Sequence, residues 1–520
     1  MKVFLCMPPF WDALCPPLGI TSLQAYLKKR DHQVSIYDFN TDASILKWYQ
    51  KYFQLLVDVV PAAKELNIMR NGPDYFSRHQ MAWLFLRNNH VKYQELTSLI
   101  LNIDDCQELE PGEFYRFDTL FQEIYAHIKE LTVQNIKEFS PELFGCTLLS
   151  STFPAALYIL LLVKEIDPSV LTVLGGPGAF IGAHADSPDT KRILEKCDWI
   201  DNILIGEGEV LLENLINGKY PKRKIISIKD IDYQLLNMDS LPTPDYTGLD
   251  YIKYFNLSIT GSRGCPYKCS FCYETNYWKK YRKRSVENII NDIKKLRTSY
   301  NKNDFYLCDS LGNFISKELA SMIKQESLPI HWDAYMRADK ELLDPDYIRL
   351  LAKGGLRRVR LGMESGSDEI LKLMDKKVTA EQMGEVLKVL SSFGIRTSTL
   401  WIIGYPGEDE EHFQETLDFL TNYHEYIYAA DPWQFIFHPT GLVSSESFES
   451  EYGMYQLYPD EFTDTLLVKY YELKNVAGLK EKFKRISRVD LHLKKLGVPN
   501  PYSIMELSLA NKRWKELHEN

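Results

Sequence analysis

Two features are missing from this chain, and each absence closes off a class of function. No apolar run approaches the length of a membrane span: the longest, Ala155 to Val163, is roughly half of what a bilayer-crossing helix needs. There is no excess of positive charge either. At a net charge of −10, the chain is not expected to bind nucleic acid through bulk electrostatics. Met1–Cys6 is too short for the apolar core of a secretion signal and runs straight into Pro8-Pro9. The nine cysteines are odd in number and lack disulfide-like regularity, which fits a reducing cytoplasm. Six of them (Cys6, Cys15, Cys106, Cys146, Cys197, Cys308) are scattered and read as buried apolar side chains. A chain of 520 residues, 45% hydrophobic and 25% charged, is expected to form two to four globular domains, each with its own core.

The remaining three cysteines carry the strongest signal. Cys265, Cys269 and Cys272 lie in Gly264-Cys-Pro-Tyr-Lys-Cys-Ser-Phe-Cys-Tyr273, a C-x3-C-x2-C triplet. Three thiolates this close can hold three corners of a cubic [4Fe–4S] cluster, whose irons favour cysteine sulfur. The fourth iron is then left to a ligand that is not protein, which points to chemistry at the metal rather than to a structural site. The alternative is a zinc site lacking its fourth ligand. It fits poorly, because no second C-x2-C or H-x3-H pair lies nearby.

The first 220 residues read as alternating strands and helices. Strands are expected at Lys2–Cys6, Gln33–Asp38, Leu143–Leu149, Val170–Leu174 and Trp199–Ile205, with helices at Gly19–Lys29 and Pro154–Ile166 and another that follows Gly206–Glu209 and runs through Leu215. This alternation predicts a parallel, doubly wound sheet that binds ligands at the carboxyl ends of its strands. The loops on that edge are Pro8–Leu18, Ser150–Phe153, Gly175–Phe180 and Gly206–Glu209. Between the second and third strands lies an insertion of about 100 residues, roughly 41–140, rich in aromatics at helical spacing. It forms either a small helical core or a cover over the ligand edge.

Residues 226–254, broken by Leu241-Pro-Thr-Pro244, read as a linker. Strand–helix units follow, with strands near 257–261, 304–308, 330–335, 357–362, 397–403 and 433–437. Helices are expected at Val286–Ser299, Ser316–Ile323, Asp344–Ala352 and Ala380–Phe393. The basic run Lys279–Arg284 reads first as a solvated segment, with an anionic-substrate or reductase-docking role as the alternative. His438 and Pro439 follow the last strand, and the region from Glu451 onward reads as helical, charged and rich in tyrosine.

The cysteine spacing and its context, an apolar strand entering Gly-Ser-Arg-Gly with Phe271 before the last cysteine, resemble the radical S-adenosylmethionine (SAM) enzymes. Pro-Pro-Leu-Gly-Ile (16–20), Gly175-Gly176-Pro177 and Gly206-Glu-Gly-Glu209 are similar to the cobalamin-binding domain of the cobalamin-dependent subfamily. The D-x-H-x-x-G motif that donates a histidine to cobalt elsewhere is absent, so the lower axial ligand stays unassigned. The resemblance implies an α/β protein with a Rossmann-like, doubly wound cobalamin-binding domain over 1–225. It further implies a linker over 226–254, a radical SAM partial (β/α)6 barrel over 255–445 and a C-terminal helical region over 446–520.

The same resemblance implies site residues. Cys265, Cys269 and Cys272 hold the [4Fe–4S] cluster, and Phe271, Asp309, Ser310, Arg337, Glu364, Ile403 and Gly404 contact SAM. The usual Gly-Gly-Glu is not present at 309–310. Pro9, Leu18, Ser150, Ser151, Thr152, Gly175, Gly176, Pro177, Gly206, Glu207 and Gly208 face cobalamin. The implied activity is reductive cleavage of SAM to a 5′-deoxyadenosyl radical, fed by a flavodoxin- or ferredoxin-type donor. Methyl transfer from cobalamin to an unactivated carbon or to phosphorus of a small-molecule or peptide substrate would follow. Ring formation or rearrangement without methyl transfer, and a non-catalytic cobalamin or iron–sulfur sensor, remain alternatives. A tRNA methylthiolation enzyme is disfavoured, because Cys6, Cys15, Cys106, Cys146 and Cys197 form no second triad.

Overall fold

The computed structural model describes residues 1–11, 15–59, 68–101, 110–177, 186–228, 237–278, 280–437, 450–474, 476–501 and 504–518. Cys106, Lys279, His438 and Pro439, and the end of the Gly175–Phe180 loop, lie outside them. The chain forms two compact units, Met1–Tyr254 with Gln456–Tyr471, and Phe255–Tyr455 with Glu472–Asn520. Among the described residues no helix is long and apolar enough to cross a membrane.

The first unit holds a six-stranded, all-parallel sheet: β1 (Lys2–Met7), β2 (Gln33–Asp38), β3 (Leu143–Thr147), β4 (Leu171–Gly175), β5 (Asn202–Ile205) and β6 (Lys224–Ser227). Val3–Met7 is buried on both faces, as a central parallel strand must be when helices cover both sides. The order β2-β1-β3-β4-β5-β6 reverses direction beside β1, so the crevice of this doubly wound sheet opens at the carboxyl ends of β1 and β3. Helices α1 (Leu18–Lys28), α6 (Phe153–Ile166), α7 (Pro188–Lys196) and α8 (Gly208–Ile216) link the strands. Both α7 and β6 went unread in the sequence.

Among the described residues the insertion holds four helices: α2 (Ala43–Val59), α3 (Ile68–Leu86), α4 (His90–Leu101) and α5 (Pro111–Phe139). Pro111 at its first turn and a reciprocal Glu110/Glu113 capping box start α5, and Ser140 in the left-handed region ends it. Tyr52, Phe76, Phe117, Phe121 and Tyr125 form a buried aromatic core, and Trp83 stacks on Tyr125 with centroids 5.0 Å apart. Residues 237–254 pack on this unit rather than hanging as a free linker. Gln24 Nε2 donates to the carbonyls of Asp245 (2.9 Å) and Thr247 (2.8 Å), and Tyr254 OH donates to the buried Asp38 carboxylate at 2.6 Å.

The second unit is a parallel sheet whose strands lie in chain order: β7 (Leu257–Ile259), β10 (Asp304–Leu307), β11 (His331–Met336), β12 (Leu356–Glu364), β13 (Arg396–Ile403) and β14 (Ala429–Gln434). A small antiparallel pair, β8 (Ser262–Arg263) and β9 (Arg282–Lys283), follows β7. Helices α9 (Val286–Tyr300), α10 (Asn313–Gln325), α11 (Pro345–Lys353), α12 (Ala380–Ser392) and α13 (Glu410–Tyr423) fill the crossovers. Six parallel strands in sequence order, with β7 and β14 as edges, make a partial (β/α)6 barrel whose working end is the carboxyl one. The sixth strand was expected at 433–437 and lies at 429–434. The C-terminal region is not wholly helical: Met454–Gln456 and Tyr471–Leu473 are short strands, with helices at Leu479–Lys495 and Ile504–His518.

Candidate functional site

At the carboxyl end of β7 the chain turns through Gly264, whose φ of +84° favours glycine and where a Cβ would sit 2.8 Å from the Lys280 carbonyl oxygen. That turn launches the cysteine loop. The loop is pinned from the other side of the sheet: Ser270 N donates to the Met374 carbonyl at 3.0 Å, and Ser270 Oγ lies 2.6 Å from Tyr405 OH. Cys269 is buried, while Cys265 and Cys272 are half-buried. Burial raises the Cys265 and Cys272 thiols above their ordinary value, and in each case the neighbouring cysteines raise it further. Three thiolates held this close call for a positive centre among them, which a metal cluster would supply. Among the described residues no set of three His, Cys, Asp or Glu converges on a single ion. Sulfurs that hold separate corners of a cube need not converge on one point.

Arg337, just beyond β11, is committed to this loop. Its Nη1 donates to Cys269 Sγ at 3.7 Å, its guanidinium lies 3.6 Å from the Tyr267 ring centroid, and Nε donates to Asp339 at 3.1 Å. Nη2 donates to the Lys376 carbonyl. Arg337, expected to contact SAM, thus has a carboxylate partner within the protein, in Asp339. Glu364 ends β12 with φ +67° and is 7% exposed. It pairs with the buried Lys376, Nζ to Oε1 at 2.7 Å, and Lys376 Nζ lies 5.7 Å from the Phe271 ring centroid. Phe271, Arg337 and Glu364 thus share one neighbour, Lys376, which the sequence reading missed. Nothing in Asp375-Lys-Lys377 marks one lysine as buried.

Asp309 and Ser310 follow β10. The Asp309 carboxylate is buried and accepts from Gly261 N (2.8 Å) and Ser262 Oγ (2.6 Å), and burial pushes it up to about 6. Ser310 Oγ donates to Glu274, which also accepts from Trp278 Nε1 at 2.8 Å. Glu274, two positions after Cys272, was also overlooked. Ile403 is fully buried at the end of β13, and Gly404 follows at φ +78°. In the basic run, Arg284 is buried against Asp292, so it serves the fold.

In the first unit, the β1 loop carries Pro9 and then Phe10, a bulky residue held at φ +95°. Asn40 Oδ1 fixes it, accepting from Phe10 N (3.2 Å) and Trp11 N (2.7 Å). The insertion reaches this loop and the next. The Phe10 ring meets Phe76 of α3 edge-on at 4.5 Å, and Ser77 Oγ of α3 donates to the Ser150 carbonyl at 2.9 Å. Thr152 Oγ1 closes the β3 loop by accepting from Leu149 N at 3.0 Å. Ser151 is 8% exposed, and its Oγ has no hydrogen-bond partner among the described residues. Beyond β4, Gly175 leads to Gly176 at φ +117°, where a Cβ would sit 2.6 Å from Leu148 N, and Pro177 is exposed. Beyond β5, Gly206 has φ +121°, Glu207 is buried, and Gly208 opens α8 against Leu23. Leu18 opens α1. The result is a bare-backbone rim with one orphan hydroxyl at the switch point, which suits a large flat ligand. Of the scattered cysteines, Cys6, Cys146 and Cys197 are buried as expected, whereas Cys15 and Cys308 are partly exposed.

A profile of the Radical SAM superfamily matches residues 259–420. Over 307 residues the chain is 28% identical to an uncharacterized methyltransferase of Pyrococcus horikoshii, covering 55% of this chain and 65% of that one. Over 312 residues it is 27% identical to the anaerobic magnesium-protoporphyrin IX monomethyl ester cyclase of Rubrivivax gelatinosus, covering 54% of each. The matched region is thus less than two thirds of either relative and leaves their whole activities outside the comparison. The radical SAM methyltransferase TsrM of Kitasatospora setae, solved with cobalamin and a [4Fe–4S] cluster bound, has the same fold. It matches with a TM-score of 0.54 at 16% identity over 88% of this chain and 81% of that one. Residues 259–420 thus match the Radical SAM superfamily, and the chain has the fold of the TsrM structure.

Proposed function

We propose that this protein is a cobalamin-dependent radical SAM methyltransferase acting on an unactivated carbon or on phosphorus of a small-molecule or peptide substrate. The observation that carries the reading is a pairing of features. A three-thiol loop lies at the carboxyl end of one parallel sheet, and a glycine-rimmed switch-point crevice lies on the other. When bound, the cluster with SAM supplies a 5′-deoxyadenosyl radical, and cobalamin supplies a methyl group.

The chain's own residues do the rest. Cys265, Cys269 and Cys272 hold three irons, and Arg337 orients Cys269 and balances the negative charge around it. Phe271 offers apolar surface to adenine, and the turn at Gly404 offers backbone. Glu364, braced by Lys376, presents a carboxylate to the ribose hydroxyls or the ammonium of SAM. Ser310 and Glu274 form a second polar pair at the same end of the barrel. Asp309 acts through the Gly261–Ser262 turn beside the cysteine loop. In the first unit, Ser151 and the backbone of Gly175–Pro177 and Gly206–Gly208 line the corrinoid edge, while the insertion fixes the β1 and β3 loops from above.

The electron donor is an acidic carrier protein of the flavodoxin or ferredoxin kind. Five exposed lysines, Lys268, Lys280, Lys283, Lys372 and Lys377, lie in or beside the segments that touch the cysteine loop, on a chain of net charge −10. Reversing Lys268 and Lys280 to glutamate is expected to slow SAM cleavage driven by such a protein about tenfold at low salt. The rate with a small chemical reductant should not change, and an equal loss with both reductants would refute the docking role. We place the protein in a reducing cytoplasm, on the odd and irregular cysteine usage of its sequence.

Product analysis tests the activity itself. Anaerobic protein given reductant, SAM, cobalamin and a methyl acceptor should form 5′-deoxyadenosine and S-adenosylhomocysteine together. The similarity to the Rubrivivax gelatinosus cyclase favours a second reading, ring closure without methyl transfer. Deoxyadenosine without S-adenosylhomocysteine would select that reading, and absence of both would leave only a sensor.

A further inference from the structure

The helix Leu479–Lys495 carries two basic residues that are almost wholly buried, although its sequence reads as a solvated, charged surface helix. Lys482 is 0% exposed, and Arg485, almost one turn on, is 6% exposed. Both meet the turn that follows β13. Lys482 lays its aliphatic stem across Gly404: a Cβ on Gly404 would lie 2.8 Å from Lys482 Cγ. Its ammonium is held beyond that crossing by Glu472 Oε2 at 2.7 Å and by the Phe435 carbonyl at 3.3 Å. Arg485 Nη1 donates to Glu408 Oε1 at 2.9 Å, and that same oxygen accepts from Gly404 N at 2.8 Å. One helix therefore grips a single glycine twice, over its bare Cα and through its backbone N–H.

The grip extends toward the cysteine loop. Phe435 N donates to the Ile403 carbonyl at 2.7 Å, the Phe435 ring meets Tyr405 edge-on at 5.2 Å, and Tyr405 OH lies 2.6 Å from Ser270 Oγ. An unbranched apolar residue at 482 would fill the same space without desolvating a charge. A lysine there must reach Glu472 and the Phe435 carbonyl at once, and that requirement fixes the path of its stem over Gly404.

We propose that Lys482, anchored by Glu472, is a positioning residue that sets the Gly404 turn for SAM, so that affinity for SAM depends on the C-terminal helix. The proposal rests on the reading that this turn lies against adenine. The test measures equilibrium SAM binding, iron content and thermal stability on the anaerobically reconstituted full chain. Lys482→Met with Glu472→Gln removes both charges together and leaves no buried charge alone. It should retain full iron content and weaken SAM binding about tenfold. Lys482→Arg keeps the charge but not the path of the stem, and should give a smaller loss in the same direction. Leu493→Ala, in the same helix, should lower stability and leave SAM affinity unchanged. Wild-type affinity in the double variant, or in Lys482→Arg should the double variant not fold, would overturn the proposal. So would a SAM loss in Leu493→Ala equal to that in the Lys482 variants. If the wild-type chain carries a cluster yet binds no SAM, the reading of the turn fails, and the clamp fails with it.

Discussion

Replacing Cys265, Cys269 or Cys272 singly with alanine is expected to cut 5′-deoxyadenosine formation at least about 100-fold, a loss of roughly 3 kcal/mol or more of transition-state stabilisation. Each thiol holds a different corner, so no neighbour can stand in for the missing one. Cys6, Cys146 and Cys197 are unsuited as substitutes. Cys6 and Cys146 face each other, sulfur to sulfur at 3.4 Å, on adjacent strands of the first unit, and Cys197 is buried in that same unit. Iron content should fall in parallel with activity, while denaturation of the first unit is unchanged. Iron and activity retained in any one variant would show that the loop does not hold the cluster in the manner argued.

The second large effect concerns the buried pair Glu364–Lys376. Both side chains are less than a tenth exposed, and the pair sits directly over Gly362, where a Cβ would meet both the Glu364 carboxylate and, at 2.9 Å, Lys376 Nζ. Lys376→Met leaves a carboxylate buried without its partner, on a residue already held at φ +67°. Breaking a buried pair in this way costs about 3–5 kcal/mol, mostly the penalty on the orphaned charge. Chemical denaturation should show that loss. Adding Glu364→Gln should recover much of the stability without recovering SAM binding. If Lys376→Met denatures like the wild type, the pair is solvated in solution and Glu364 is not held for SAM.

Both predictions rest on residues that differ sharply in how visible they were in the sequence. The three cysteines announced themselves because their chemistry is local: the spacing alone puts three soft ligands on one loop. The strands were legible where burial dictates composition. Gln33–Asp38 alternates and was placed to the residue, and Val3–Met7 reads as one apolar run. Misplacement came where composition misleads. The last strand is Ala429-Ala-Asp-Pro-Trp-Gln434, and Pro432 pushed its expected position on to the aromatic-rich 433–437. A proline is tolerated there because β14 is an edge of the sheet and needs no second ladder of N–H donors. Strand β6, Lys224-Ile-Ile-Ser227, was too short and too polar at its start to stand out, and it too is an edge.

The overlooked site residues share another cause. Lys376, Lys482 and Arg485 are charged residues on or beside helices, and charge in such places usually means solvent. Their burial depends on partners set by the fold: Arg485 meets Glu408 across 77 residues, and Ser77 of the insertion meets Ser150 across 73. No period of 2 or 3.6 encodes such pairings. Glu274 is different, since it stands two positions after Cys272 and only its partner, Ser310, was hidden.

In the proposed site, protein supplies three irons with ligands and leaves the fourth to SAM. Mössbauer spectroscopy of anaerobically prepared, ⁵⁷Fe-enriched protein, with and without SAM, tests it directly. The expected spectrum is that of a [4Fe–4S] cluster in which SAM shifts the signal of a single iron and leaves the others unchanged. Zinc in place of iron, or a cluster whose spectrum does not respond to SAM, would contradict it.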